Sequence, residues 1–284
     1  MAGKLIICPT PIGNLGDMTL RALEALREAD VVCAEDTRVT GKLLVALGVE
    51  GKRLERLDEN VVATRAAAIV ARVQDGQTIA YCSDAGMPGV SDPGLRLVRA
   101  ARETVPPVEV EVLPGPTAVA TAYVASGTSA THFYFGGFFP RKDKERREVL
   151  EGLRGLDAAL VFYESPKRIA SALQAIERVM PAREVTVCRE LTKAHEEVTR
   201  GHVTDVAADY AARELVKGEI VIVIDPPNEA ECASDAQAAA QDAAARAVQL
   251  AAAGERPKTI AKTLQQEFNI PRNEAYDLAL AQSR

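Results

Sequence analysis

The chain has 284 residues, 47% hydrophobic and 26% charged, a globular make-up that excludes wholesale disorder. Lys and Arg total 34 against 40 Asp and Glu, a formal charge of -6; this excludes a polybasic nucleic-acid binder but not a local basic patch. Tryptophan is absent and aromatic residues are 4%, which argues against recognition by rows of stacked rings.

From the N-terminus, short apolar runs alternate with helical periodicity. Strands are predicted at 4–8, 31–34, 78–82 and 108–113, with helices over 19–29, 43–47, 61–73 and 95–102. Such gaps suit crossover helices, so the pattern predicts a parallel sheet covered on both faces. Ligands in such sheets bind at the carboxyl ends of the strands. The loops there carry the densest signals.

The first loop, Pro9 to Gly16, holds two prolines and two glycines, and it matches neither a Walker loop nor G-x-G-x-x-G. The second is Glu35-Asp36-Thr37-Arg38. Its acids read either as a helix cap, through Asp36 or Thr37, or as acceptors for substrate hydroxyls, with Arg38 on a phosphate. The third, Ser83 to Gly94, has three glycines, two prolines and two aspartates in twelve residues. Asp92 reads as a cap before Pro93, whereas Asp84 suits recognition of ribose hydroxyls or an amino-acid group. Pro114 to Ala118 then opens a helix toward the same cleft.

A small, polar stretch at 126–131 marks a boundary. Beyond it, strands are predicted at 132–135, 159–163, 185–188 and 219–224, with helices over 143–154 and 166–179. Acids and bases cluster at the strand ends, in Phe162 to Arg168 and in Arg189 to Lys193. The segment 141–147 carries Arg141, Lys142, Lys144, Arg146 and Arg147, either a solvated helix face or a phosphate-binding patch. Its Lys-Asp-Lys-Glu letters are no catalytic tetrad, because four adjacent helical residues cannot converge on one atom. Residues 228–234 read as a linker. An Ala-rich stretch over 236–253 and helices over 257–267 and 271–282 form an acidic tail. Three parts are expected: 1–126, 127–228 and 229–284.

No apolar run approaches the ~20 residues of a membrane span, and the run at 5–8 is too short for a signal-peptide core. The five cysteines are scattered and odd in number; Cys8, Cys33 and Cys82, in apolar runs, read as small buried residues in a reducing compartment and not as a disulfide framework. The three histidines make no metal-ligand pair at helical spacing, so no metal is expected.

Taken in order, Pro-Thr-Pro-Ile-Gly-Asn (9–14), Glu-Asp-Thr-Arg (35–38), Ser-Asp-Ala-Gly (83–86), Ser-Asp-Pro-Gly (91–94), Phe-Tyr-Glu-Ser-Pro (162–166) and Arg-Glu-Leu-Thr-Lys (189–193) closely resemble the S-adenosylmethionine-dependent methyltransferases of the tetrapyrrole methylase superfamily. The resemblance covers about residues 4–226. Within that superfamily the motifs are similar to the RsmI type, which methylates a cytidine 2'-hydroxyl in 16S ribosomal RNA. The chain departs from the pattern at Met87, Gly89-Val90, Lys167 and Asp58, and it lacks the Gly-Pro-Gly of porphyrin-precursor methylases.

The resemblance implies two α/β domains with the cofactor in the cleft between them, a small C-terminal helical appendage, and a cytoplasmic homodimer acting on 16S rRNA or the small ribosomal subunit. For S-adenosylmethionine it implies contacts from Pro11, Ser83, Asp84, Met87, Thr117 and Ala118, and from Tyr163, Leu191 and Glu219. Glu35, Asp36 and Glu164 are the candidate proton acceptors. Arg38, Arg141, Lys142, Arg146 and Lys193 are the candidate RNA contacts. The rival readings are a methyltransferase of a small tetrapyrrole-like metabolite and an RNA-binding assembly factor without catalysis.

Overall fold

Alternation of side chains along the first strands divides their apolar residues between two helical layers. The computed structural model describes residues 3–268 and 270–281 (residue 235 by its backbone alone). Strands β1 (Lys4–Ile7), β2 (Val31–Ala34), β3 (Arg53–Arg56), β4 (Ile79–Cys82) and β5 (Glu109–Val112) form one sheet in the order β3-β2-β4-β1-β5. All its pairings are parallel. Leu5, Ile7, Val31, Cys33, Ile79 and Tyr81 pack against α3 (Val62–Gln74) and α4 (Gly94–Glu103). Ile6, Cys8, Val32, Ala80 and Cys82 pack against α1 (Leu20–Glu28) and α2 (Thr37–Ala46). Neighbouring strands β1 and β4 therefore send their chains to opposite faces, and this divergence opens a crevice at their carboxyl ends.

The second sheet has β6 (Phe133–Phe138), β7 (Ala159–Glu164), β8 (Glu184–Arg189), β9 (Glu197–His202) and β10 (Ile220–Ile224), in the order β6-β7-β10-β8-β9. Only β6 and β7 pair in parallel; the other pairings are antiparallel. One face packs on α6 (Asp143–Leu153), α7 (Ile169–Val179) and α8 (Val203–Ala212). The other packs on α5 (Ala118–Ser126), and Ile12 and Leu191 join that cluster. So α5 precedes the sequence boundary but is packed with the second sheet, and the first loop reaches into the second core.

Some elements differ from expectation. α2 starts at Thr37, not 43, because Asp36 caps it by accepting from the Arg38 amide at 2.8 Å. The unpredicted strands β3 and β9 are sheet edges with no buried residue, so they lack the apolar signal of an interior strand. α8 was also unforeseen.

Residues 1–226 make up one compact unit and 227–284 a second. The second contains α9 (Glu229–Ala252), α10 (Pro257–Phe268) and α11 (Arg272–Ala281) around a core that includes Ala243, Ala247, Ile260 and Leu264. Pro257 takes the first helical position. Residue 282 of the predicted last helix lies outside the described residues.

Edge strand β9 is tied down by charge. Glu197 accepts from Arg213 at 2.7 Å and from Arg189 at 2.8 Å. The hydrogen bond from Arg213 is the main cause that lowers its pKa to about 2. A depressed carboxylate stabilises the fold above its ordinary pKa and loses that contribution as pH falls through the folded value. Glu197→Gln should therefore cost about 1–2 kcal/mol at pH 7 in urea unfolding. The difference from the parent should close as pH falls from 4.5 toward about 2.

Candidate active site

A cleft of about 410 Å³ lies where the carboxyl-end loops of the first sheet face the second. Its walls begin with the first and third loops. Thr10 and Gly86 exchange backbone hydrogen bonds of 3.0 and 3.1 Å, so these loops act as one unit. Asp92 accepts from the amides of Gly89 and Gly94, each at 2.8 Å, and fixes the turn before α4; the N-cap position is Pro93, one residue later than expected, and has no side-chain cap. Asp84 is exposed, lines the cleft, and accepts from the Asp36 amide at 2.9 Å. The third loop thus holds the second in place.

The opposite wall comes from the second sheet. Glu190 Oε1 accepts from the Glu219 amide at 2.9 Å and from Lys193 at 2.7 Å. Gly218, at φ +96°, must be glycine here, since a Cβ would lie 2.4 Å from the Glu190 carboxyl group. Among the described residues, three non-glycines hold left-handed backbone: Ser91, Glu190 and Thr192. Ser91 lines the cleft, and the other two flank Leu191, which also does. Such conformations cost on the order of 1–3 kcal/mol each and persist where surroundings enforce them, often at ligand sites.

Of the nine residues expected at a cofactor, Ser83, Asp84, Met87, Thr117, Ala118, Tyr163, Leu191 and Glu219 line the cleft. Pro11 does not; its neighbour Ile12 does. Among the three candidate proton acceptors the environments differ sharply. Glu35 lines the cleft, and its pKa is raised, first by burial and then by the negative charge of Asp84. Asp36 lies outside the lining, and its pKa is held well below the usual carboxylate range, chiefly by the Arg38 side chain. Glu164 is buried; Arg168 reaches its Oε1 at 2.5 and 2.8 Å, the Ser165 amide reaches the same oxygen at 2.5 Å, and Arg146 reaches Oε2 at 3.4 Å. Saturated by cations and N–H donors, Glu164 is a structural anchor and not a ready base.

The basic candidates need correction too. Arg146 is buried at 3% exposure, bonded to the Pro140 carbonyl, Ser171 and Glu164, and cannot meet a phosphate. Lys193 sits between Glu190 and Glu219, each at 2.7 Å, so its charge is already neutralised. Arg38 is exposed but paired with Asp36 at 2.6 Å. Arg141 and Lys142 are exposed, Lys142 against Glu145 at 3.0 Å. None of the five lines the cleft. Sequence reasoning missed Phe138; the only signal was Gly136-Gly137 inside a strand pattern, which marks a bulge.

The described lining carries the acids Glu35, Asp84, Asp92, Glu164 and Glu219 and no Lys, Arg or His. Met87, Val90, Ala118 and Leu191 supply apolar surface. This is a site for a small ligand that is part apolar and bears positive charge.

The model described as Tetrapyrrole (Corrin/Porphyrin) Methylases matches residues 4–207. The chain belongs to the tetrapyrrole methylase family. It is a methyltransferase. It is 37% identical over 276 residues to ribosomal RNA small subunit methyltransferase I of Micromonospora olivasterospora, covering 97% of this chain and 86% of that one. The protein of the same name from Thermotoga maritima is 42% identical over 223 residues, covering 78% of this chain and 98% of that one. In fold, the chain resembles the methyltransferase CobJ, with a TM-score of 0.61 at 19% identity, covering 79% of this chain and 100% of that one. Diphthine synthase gives a TM-score of 0.61 at 15% identity, over 78% and 90%. This tetrapyrrole methylase has its acid-lined cleft at the carboxyl ends of the first sheet's strands.

Proposed function

We propose that the chain transfers a methyl group from S-adenosylmethionine to the 2'-hydroxyl of a decoding-centre cytidine in 16S rRNA, with Glu35 as proton acceptor. The carrying observation is a cleft whose only charged lining residues are acids, among which burial raises the pKa of Glu35. The relatives' shared name supports RNA of the small ribosomal subunit as substrate.

The residues present suit this cofactor, which supplies an electrophilic methyl on a sulfonium when bound. Glu35 and Asp84 would complement its positive charges, whereas Glu219 is already paired with Lys193. The uncapped N-terminus of α5, at Thr117 and Ala118, offers amides to its carboxylate. Ser83, Met87, Tyr163 and Leu191 enclose the remainder. Glu35 would accept the proton of the ribose hydroxyl as that oxygen takes the methyl group the cofactor would supply. Positioning by the locked loops supplies much of the rate, and the base adds to it. Arg38, Arg141 and Lys142 remain the candidate RNA contacts in this reading, in a cytoplasmic enzyme. A second copy of the chain would pair along edge strand β6, where Phe133 and Tyr134 are exposed.

Incubating the chain with small ribosomal subunits and methyl-labelled S-adenosylmethionine, then digesting the RNA for mass spectrometry, tests the reading. One 2'-O-methylcytidine is expected. Label in an added porphyrin precursor and none in RNA would replace this reading with the small-metabolite one.

Asp84→Ala should weaken S-adenosylmethionine binding by about 5–150-fold, the loss of a charge-assisted hydrogen bond worth about 1–3 kcal/mol. Calorimetry on the folded variant checks this; parental affinity would remove Asp84 from the cofactor contacts.

A further inference from the structure

Phe138 is a large apolar side chain left uncovered in the cleft. It is 61% exposed, yet it lines the cleft with Tyr163 and Pro166. Its position comes from a slip in register. Phe135 lies opposite Val161, but Phe138 lies opposite Tyr163, one residue short of regular pairing. Regular pairing would set Phe138 opposite Glu164, on the face that packs against α6 and α7. The slip turns it to the Tyr163 face, which is the cleft face.

The two glycines before it make the slip. A Cβ on Gly136 would lie 2.1 Å from the Phe162 ring, and Gly137 has φ +70°. Neither position accepts a side chain without strain. Tyr163 then meets Phe138 edge-on, with centroids 5.4 Å apart and planes at 67°. The ring is positioned by its neighbours but not covered by them.

Positive charge follows the two strands that carry Phe138 and Tyr163. β6 and β7 run parallel, so the loops after them leave side by side. Arg141 follows β6 and Lys167 follows β7; both are exposed, and neither takes part in an ion pair among the described residues. The cleft lining itself has no cation, so phosphates are favoured at this rim and not inside.

We propose that Phe138 is a stacking platform for the nucleobase next to the reacting ribose, with Lys167 and Arg141 holding the adjacent phosphates. This rests on the RNA reading above. A ribose hydroxyl reaches Glu35 only if its nucleotide leaves the RNA stack, and a splayed base recovers stacking on an aromatic side chain. Phe138 is a specificity and positioning residue here, and it takes no part in proton transfer.

The test uses the full chain with small ribosomal subunits, comparing the parent with Phe138→Leu, Phe138→Tyr and Lys167→Gln. Phe138→Leu keeps apolar bulk but removes the ring face. It should raise KM for RNA by about tenfold, within the 5–150-fold range of one lost stack, with cofactor affinity and salt dependence unchanged. Phe138→Tyr should keep the parental KM. Lys167→Gln should flatten the log–log salt slope by about one unit. Parental KM in Phe138→Leu overturns the proposal, and so does a loss confined to cofactor affinity. A change of mass in sedimentation would assign the ring to contact between copies instead. A parent chain that methylates no small-subunit RNA overturns the RNA reading itself, whereas an active parent matched by Phe138→Leu overturns the platform alone.

Discussion

Glu35→Gln lowers turnover by about 10²–10⁴-fold while S-adenosylmethionine affinity stays near the parental value; that is the expected result if Glu35 accepts the hydroxyl proton. Glutamine keeps the shape and loses the base. The parent rate should rise with pH through the raised Glu35 pKa, and the variant should lack this limb. Stability should move the opposite way. Protonated Glu35 suits its partly buried place beside Asp84, but the charged form does not. The parent therefore holds its stability below the ordinary pKa and loses part of it as pH rises through the raised one. Thermal unfolding should show Glu35→Gln more stable than the parent at neutral pH, with the difference gone in acid. A turnover within a few-fold of the parent would remove Glu35 from the mechanism.

Arg146→Met should unfold the protein more easily by about 3–5 kcal/mol, in the range for breaking a buried charge pair. Methionine fills similar space, so the loss is mainly electrostatic. Glu164 has no side-chain exposure, and it would keep Arg168 but lose its contact to Arg146. The Pro140 carbonyl and Ser171 would lose a donor as well. Urea unfolding measures the cost. RNA binding by the folded variant should keep the parental salt slope, because a residue at 3% exposure releases no counterions. A flattened slope with unchanged stability would return Arg146 to the RNA-contacting group.

Glu35 and Glu164 show how one kind of sequence signal can meet two different environments. Glu35 and Glu164 are both acids at the end of an apolar strand. Burial beside Asp84 raises the pKa of one, whereas two arginines and an amide saturate the other. Arg168 is only four residues away, across the turn between β7 and α7. Arg146 is eighteen residues away on another element, and its burial depends on how α6 docks.

Local sequence by itself determined the strand runs, the crossover helices of the first sheet and the loops that face one edge. Strand burial demands apolar runs, and sharp turns demand Gly and Pro, so both leave marks within a few residues. The order of motifs was enough to place the chain among the tetrapyrrole methylases. Tertiary structure alone decided the antiparallel course of most of the second sheet, since an interior strand is equally apolar in either direction. It alone attached α5 to the second sheet and brought Ile12 into that core. It also decided which charges stay free for function: Arg146 is consumed by the distant Glu164, Lys193 is shared between nearby Glu190 and distant Glu219, and a one-residue slip of β6 turns Phe138 into the cleft. Ion pairing and register are set between elements, through space, so they leave little trace in the spacing of residues along the chain.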